Sequence, residues 1–125
     1  MARILIVEDN PDNMKLFRAL LTLKGHEVTA LPSGEGLFDT LEQTKPELVL
    51  MDVQLPGKDG FALLGEIRSS SWSHLRVVAL TAHAMHGDAE KARAAGFDDY
   101  ITKPIDIAHF PTQVERVVNG PASQA

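Results

Sequence analysis

Residues 47–52 read Glu-Leu-Val-Leu-Met-Asp, and residues 55–57 follow as Leu-Pro-Gly. An apolar run of this length, closed by turn-forming residues, predicts a buried strand. Asp52 then lies at the tip of that strand, where its carboxylate is presented for chemistry. Three other apolar runs also end in chemically useful side chains, namely Glu8 with Asp9, Thr81, and Lys103.

Short apolar runs alternate with helical patterns five times, which is typical of βα units around a parallel sheet. The predicted strands are Arg3–Glu8, Glu27–Leu31, Leu48–Asp52, Val77–Thr81 and Asp99–Thr102. The third and fourth are almost wholly apolar, as expected when helices cover both faces of the sheet, whereas the second is more polar and suits an edge. Because the carboxyl ends of parallel strands share one edge, the polar residues that follow them should converge.

The first predicted helix has the clearest limits. Asn10 can cap it, Pro11 suits its first position and Gly25 suits its exit. Four more helices are predicted: one from Ser33, one carrying Phe61, Leu64 and Ile67, one that reaches Gly96, and one over Ile107–Val118. The helix before Gly96 has mainly alanines to turn inward (Ala89, Ala92 and Ala95), so we expect it to be locally labile. Pro111 lies inside the last helix, which is therefore kinked or begins late.

The composition restricts the classes of protein to consider. With 125 residues and 44% hydrophobic content, the chain is long enough for one domain, predicted at 1–119, with a flexible tail at 120–125. A net charge of −5 and a pI near 5.4 disfavour nucleic acid and anionic membranes as partners. The absence of cysteine excludes disulfides and thiolate chemistry. Apolar runs near the N-terminus are too short for a signal peptide or a membrane span, so we expect a cytoplasmic protein.

The three acids at the predicted sheet edge need a counter-charge. If Glu8, Asp9 and Asp52 converge to roughly 5 Å, each pair of carboxylates repels by about 3 kcal/mol at an effective dielectric of 20. They must therefore take up protons or bind a cation. A hard divalent ion with oxygen ligands fits best, and Mg²⁺ is the predicted cofactor. The alternative is a solvated acidic turn after the first strand.

An ionised Asp52 beside Mg²⁺ can attack phosphorus and form an aspartyl phosphate. Such a reaction requires little beyond positioning and neutralisation of charge. Lys103 can pair with the phosphoryl oxygens, and the Thr81 hydroxyl can donate a hydrogen bond to one of them. Taken singly, each residue is better explained structurally, Thr81 as a β-branched strand end and Lys103 as a surface lysine before Pro104. Their joint placement at neighbouring strand ends favours the functional interpretation.

These strand ends carry a family resemblance that covers nearly the whole chain. The motifs are Ile6-Val7-Glu8-Asp9-Asn10, Leu50-Met51-Asp52-Val53-Gln54-Leu55-Pro56-Gly57-Lys58-Asp59-Gly60, Ala79-Leu80-Thr81-Ala82 and Tyr100-Ile101-Thr102-Lys103-Pro104. With them the sequence resembles a response-regulator receiver domain of the CheY-like type. The resemblance implies an α/β, doubly wound, five-stranded parallel sheet in the order 2-1-3-4-5 with five helices, a flavodoxin-like fold.

The resemblance also implies roles for the residues at the sheet edge. Asp52 would accept a phosphoryl group from a histidine kinase or a histidine phosphotransferase. The implied Mg²⁺ ligands are Glu8 (through water), Asp9, Asp52 and the Gln54 backbone carbonyl. The implied phosphoryl contacts are Thr81, the Ala82 backbone N–H and Lys103, whose bond to Pro104 is usually cis in the family. Thr81 and Tyr100 would switch the face made by helix four, strand five and helix five, which would bind a downstream protein target.

A finer similarity concerns the type of regulator. Residues 13–17 (Asn-Met-Lys-Leu-Phe) and 82–88 (Ala-His-Ala-Met-His-Gly-Asp) resemble single-domain cell-cycle regulators of the DivK type, although receivers of hybrid histidine kinases share much of this pattern. We therefore expect a stand-alone response regulator, a monomer or weak dimer, with His83 and Gln54 flanking the pocket mouth. It would catalyse only its own phosphorylation and dephosphorylation.

Other functions remain as alternatives. A phosphatase that works through an aspartyl phosphate generally has a second Asp two positions after the nucleophile, and Gln54 stands there instead. A phosphorylation-independent scaffold would not need so complete a pocket. A flavin site would need a phosphate-cradling loop after the first strand, where Glu8 and Asp9 would repel the phosphate.

Overall fold

Residues 2–55, 57, 59–81 and 88–119 are described by a computed structural model. Within them, one parallel sheet contains β1 (Arg3–Val7), β2 (Glu27–Leu31), β3 (Leu48–Asp52), β4 (Arg76–Thr81) and β5 (Asp99–Thr102). The strand order is β2-β1-β3-β4-β5. The predicted doubly wound α/β fold is therefore confirmed, and β2 is at an edge as its polarity indicated.

The helices alternate with the strands and are α1 (Pro11–Leu23), α2 (Leu37–Thr44), α3 (Gly60–Arg68), α4 (Asp88–Ala95) and α5 (Phe110–Val118). At the start of α1, the Asn10 side chain accepts hydrogen bonds from the backbone N–H groups of Asp12 and Asn13. These bonds satisfy donors that have no partner inside the helix, which confirms the predicted cap. No described helix is both long and apolar enough to cross a membrane.

Three helix details differ from the prediction. α2 begins at Leu37 rather than Ser33, after Gly36 in a left-handed conformation with φ of 77°. α5 begins at Phe110 rather than Ile107, which places Pro111 in its first turn. A proline is tolerated there because the first backbone N–H groups of a helix have no intrahelical acceptor, so the late start was the correct alternative. Ala92 is buried as expected but Ala95 is exposed, and the Ala89 side chain lies outside the described residues.

Two apolar clusters cover the two faces of the sheet. On one face, alternate residues of the central strands pack against α2, α3 and α4, and the cluster includes Val49, Met51, Leu64 and Phe97. On the other face, the intervening residues pack against α1 and α5, where the rings of Phe17 and Phe110 stack with centroids 5.3 Å apart. Every residue of β3 is buried. This burial confirms the two-sided coverage that the apolar run predicted.

Candidate functional site

The carboxyl ends of four neighbouring strands position the polar residues of the site. Glu8 directly follows β1, Asp52 ends β3, and Thr81 ends β4. All three are buried, with exposed fractions of 2%, 3% and 3% respectively. Buried polar side chains at the tips of buried strands are costly to desolvate unless they are paired, so their partners define the chemistry of the site.

Lys103, just beyond β5, contacts both acidic side chains of this group. Its Nζ donates hydrogen bonds to Asp52 Oδ2 at 2.9 Å and to Glu8 Oε1 at 3.1 Å. Its backbone N–H donates to the Thr81 carbonyl oxygen at 2.8 Å, which aligns the ends of β4 and β5. The Lys103–Pro104 peptide bond is cis, as the family resemblance implied. One ammonium therefore contacts two carboxylates that are far apart in the sequence.

Glu8, Asp9 and Asp52 form an acidic cluster in which one oxygen of each lies within 4.8 Å of the others. Backbone donors orient two of these carboxylates. The Asn10 N–H donates to Glu8 Oε2 at 3.1 Å, and the Gln54 N–H donates to Asp52 Oδ1 at 2.9 Å. Asp9 is exposed, so the cluster opens to solvent on its side. A small group of carboxylate oxygens, partly open to water, has the composition that Mg²⁺ prefers.

The ionisation of the site reflects an excess of negative charge. Burial raises the pKa of Glu8 from 4.5 to about 7, the Asn10 N–H opposes that shift, and neighbouring Asp52 adds to it. Burial disfavours the charged form of Lys103, but hydrogen bonds to Asp52 and Glu8 outweigh burial and raise the pKa of its ammonium. One lysine does not neutralise three acids. The cluster therefore takes up a proton or a cation, and the donor set fits a hard divalent ion.

Gly60, the first residue of α3, lies against the backbone of the strand that carries Asp52. A Cβ at Gly60 would be 2.6 Å from the Asp52 carbonyl oxygen and 2.8 Å from Val53 Cα. The Gly60 N–H also donates to the Val53 carbonyl oxygen at 3.1 Å. The absence of a side chain therefore allows α3 to approach Asp52 closely.

We expect Gly60→Ala to lower the free energy of unfolding by about 1–3 kcal/mol, because the added methyl group must displace backbone. Gly65 lies in the same helix with no neighbour within 4 Å of an added Cβ. Gly65→Ala should therefore raise stability by about 0.5–1 kcal/mol through helix propensity. Urea titration followed by the fluorescence of Trp72, the single tryptophan, measures both variants. Equal effects of the two substitutions would contradict the close approach.

The remaining predicted residues have different surroundings. The Gln54 side chain is exposed. Tyr100 is half-buried, and its ring lies beneath the Arg93 guanidinium. Ala82, His83 and the tail at 120–125 lie outside the described residues, so their roles stay predictions. Sequence reasoning assigned no role to Gly60, although a glycine directly after the helix-capping Asp59 is a signal of close backbone approach.

Comparison with known proteins agrees with this geometry. Residues 4–115 match the response regulator receiver domain family. The polar-differentiation response regulator DivK of Brucella ovis is 41% identical over 108 residues, which are 86% of this chain and 88% of that protein. Hybrid signal transduction histidine kinase I of Dictyostelium discoideum is 36% identical over 94% of this chain, which spans only 7% of the kinase.

A solved structure is similar as well. The receiver domain of a sensor histidine kinase from Pseudomonas aeruginosa is 34% identical, with a TM-score of 0.85. The alignment covers 95% of this chain and 98% of that domain. That structure has a magnesium ion coordinated in its active site cleft.

Proposed function

This chain belongs to the response regulator receiver domain family, and we propose that Asp52 is its phosphoacceptor. The observation that carries the proposal is the position of Lys103 Nζ, within hydrogen-bond distance of both Asp52 and Glu8. A phosphoryl group on Asp52 would lie beside this ammonium and beside the acidic cluster. Positive charge held at that point stabilises the charge that develops on the transferring oxygens.

In the proposed reaction, an Asp52 carboxylate oxygen forms a bond to phosphorus while the bond from phosphorus to the donor's leaving group breaks. The Gln54 N–H holds the Asp52 carboxylate in place through Oδ1. Lys103 pairs with the phosphoryl oxygens, and the Thr81 hydroxyl and the Ala82 N–H donate hydrogen bonds to them. Glu8, Asp9, Asp52 and the Gln54 carbonyl would hold Mg²⁺, which neutralises phosphoryl charge when bound.

The proposed partners are a histidine kinase or histidine phosphotransferase as donor and another protein as target. Thr81 and Tyr100 would transmit the change from Asp52 to the face formed by α4, β5 and α5. The similarity to polar-differentiation response regulators favours a role in cell-cycle control. In this proposal residues 1–119 form the receiver domain, and self-phosphorylation and dephosphorylation are the only catalysis.

Intact-mass spectrometry with a small phosphodonor tests the proposal. Wild-type protein treated with acetyl phosphate and Mg²⁺ should gain one phosphoryl group, and the gain should disappear with EDTA and after mild alkali. Borohydride reduction followed by peptide mapping should place the modification at Asp52. Modification at a serine, threonine or histidine would overturn the proposal. Repeated turnover of many equivalents of an organic phosphate would favour the phosphatase alternative.

We expect the affinity for Mg²⁺ to rise with pH. The pKa of Glu8 is raised to about 7 in the metal-free protein, so below that pH a divalent cation must displace a proton. The dissociation constant should fall about ten-fold between pH 6 and pH 8, with close to one proton released at pH 6 and almost none at pH 8. Isothermal titration calorimetry in two buffers of different ionisation enthalpy measures both quantities.

The same shift affects stability without metal. The folded protein holds the Glu8 proton more tightly than the unfolded chain, because its pKa is raised from 4.5 to about 7. This contribution to stability is full below pH 4.5 and is lost as pH rises through about 7.

Glu8→Gln is the control for the prediction on Mg²⁺ binding. This variant carries no such proton, so its affinity for Mg²⁺ should not change with pH. Proton release that is equal at pH 6 and pH 8 would contradict the assignment to Glu8.

A further inference from the structure

Arg93 on α4 covers the ring of Tyr100 on β5. Its guanidinium carbon lies 5.1 Å from the ring centroid, a distance at which a cation is attracted to an aromatic face. An Arg93 nitrogen also lies 3.9 Å from Oδ1 of Asp99. That same oxygen accepts the Tyr100 backbone N–H at 2.8 Å. Arg93 therefore interacts with the ring and with the carboxylate that orders the backbone of the same tyrosine.

The Arg93–Tyr100 contact is one of the contacts that hold α4 against β5. Of the α4 side chains whose burial is described, residues 90–95, only Ala92 is buried, and its methyl group removes little apolar area from water. The arginine is itself 62% exposed, so its contact with Tyr100 can break without unpacking the core. This combination indicates a labile attachment rather than a fixed one.

The position of this contact in the chain connects it to the site. α4 is the helix that follows Thr81, and Tyr100 lies on the strand that leads to Lys103. The Lys103 N–H in turn donates to the Thr81 carbonyl oxygen. Arg93 thus joins the segment after Thr81 to the segment before Lys103. Any rearrangement that moves these two segments apart must first break the contact.

We propose that Arg93 is a positioning residue that holds Tyr100 at the α4–β5 surface and thereby opposes occupancy of the phosphoryl site at Asp52. This inference rests on the proposed function, because it concerns regulation of the same site. A cation over a partly exposed ring shifts an equilibrium by roughly 2–5-fold. By reciprocity, removing it should raise the affinity for a phosphoryl analogue by roughly the same factor, 2–5-fold.

Tyr100 is the single tyrosine of the chain, so ring-¹³C tyrosine gives one set of aromatic resonances. We compare wild type, Arg93→Gln, Arg93→Lys and the control Lys91→Gln, which removes the same charge from an exposed position of α4. Without Mg²⁺ or anion, Arg93→Gln should shift the Tyr100 resonances and Lys91→Gln should leave them unchanged. Arg93→Lys should give an intermediate shift, since a lysine keeps the charge but stacks less well.

A titration with beryllofluoride at saturating Mg²⁺ then tests the link to Asp52. Arg93→Gln should reach half-saturation at roughly 2–5-fold lower beryllofluoride than wild type, and Lys91→Gln at the wild-type concentration. An unchanged Tyr100 spectrum in Arg93→Gln, or unchanged or weaker analogue binding, overturns the proposal. If Arg93→Gln shifts the Tyr100 resonances of the free protein but beryllofluoride changes the spectrum of no variant, the proposed function fails, and the regulatory role of Arg93 fails with it.

Discussion

Asp52→Asn should reduce the phosphoryl group incorporated from acetyl phosphate to below about 1% of the wild-type amount, because an amide oxygen does not replace the nucleophilic carboxylate. Asparagine has nearly the same shape and can still accept the Gln54 N–H and the Lys103 ammonium. The loss of labelling would therefore result from the missing nucleophile rather than from misfolding. Intact mass after a fixed time with Mg²⁺ measures it, and the Trp72 unfolding curve confirms that the variant is folded.

Asp12→Asn is the matched control for this prediction. Asp12 is an exposed acid in the first turn of α1, and the same chemical change there should leave labelling within about two-fold of wild type. Equal labelling of wild type and Asp52→Asn would show that another residue accepts the phosphoryl group. Loss of labelling in both variants would show instead that the reaction depends on the total negative charge near the site and not on one nucleophile.

Arg68→Ala should lower the free energy of unfolding by about 3–5 kcal/mol, through the loss of a partly buried charged pair and several hydrogen bonds. The Arg68 guanidinium donates to the backbone carbonyl oxygens of Ser73, Leu75 and Gly96. It also pairs with the Asp98 carboxylate at 3.0 Å, and each of these two side chains is only 16% exposed. Removing it leaves three carbonyl oxygens and one carboxylate without this donor.

A fall of that size corresponds to a decrease of about 10–20 °C in the melting temperature of a domain of this length, measured by differential scanning calorimetry. Arg68→Lys should lose about half as much, since one ammonium cannot reach all four acceptors. Arg18, an exposed arginine on α1, is the control, and Arg18→Ala should change stability by less than about 0.5 kcal/mol. Similar losses for Arg68→Ala and Arg18→Ala would contradict the structural role of Arg68.

Much of the site was accessible from the sequence because strand ends are local features. Apolar runs that stop at Glu8, Asp52 and Thr81 predict strands, and a parallel sheet brings their carboxyl ends to one edge. The order of strands and helices in the sequence therefore predicted that Asp52 and Lys103 lie together. It also predicted the cap at Asn10, whose hydrogen bonds span only two and three residues.

The incorrect predictions concern the starts of two helices and the rotation of a third, where the local sequence signals conflict or are weak. Ser33 and Ile107 looked like helix starts, yet α2 and α5 begin at Leu37 and Phe110. In α5, Pro111 sets the start of the helix, because its missing N–H is harmless in the first turn and costly further along the helix. In α4 the packing of Ala92 and the exposure of Ala95 depend on how the helix is rotated against the sheet. A helix made largely of alanines gives too weak an apolar stripe to predict that rotation.

Residue order alone determined the alternation of strands and helices, the two-sided burial of β3 and the set of acids at one sheet edge, because each follows from short-range periodicity and turn chemistry. Only the tertiary structure decided that one lysine contacts both Asp52 and Glu8, that Gly60 lies against Asp52, and that Arg93 covers Tyr100. The physical reason is that these contacts join segments distant in the chain, so they depend on strand register, helix rotation and side-chain conformation, which the packed core sets as a whole.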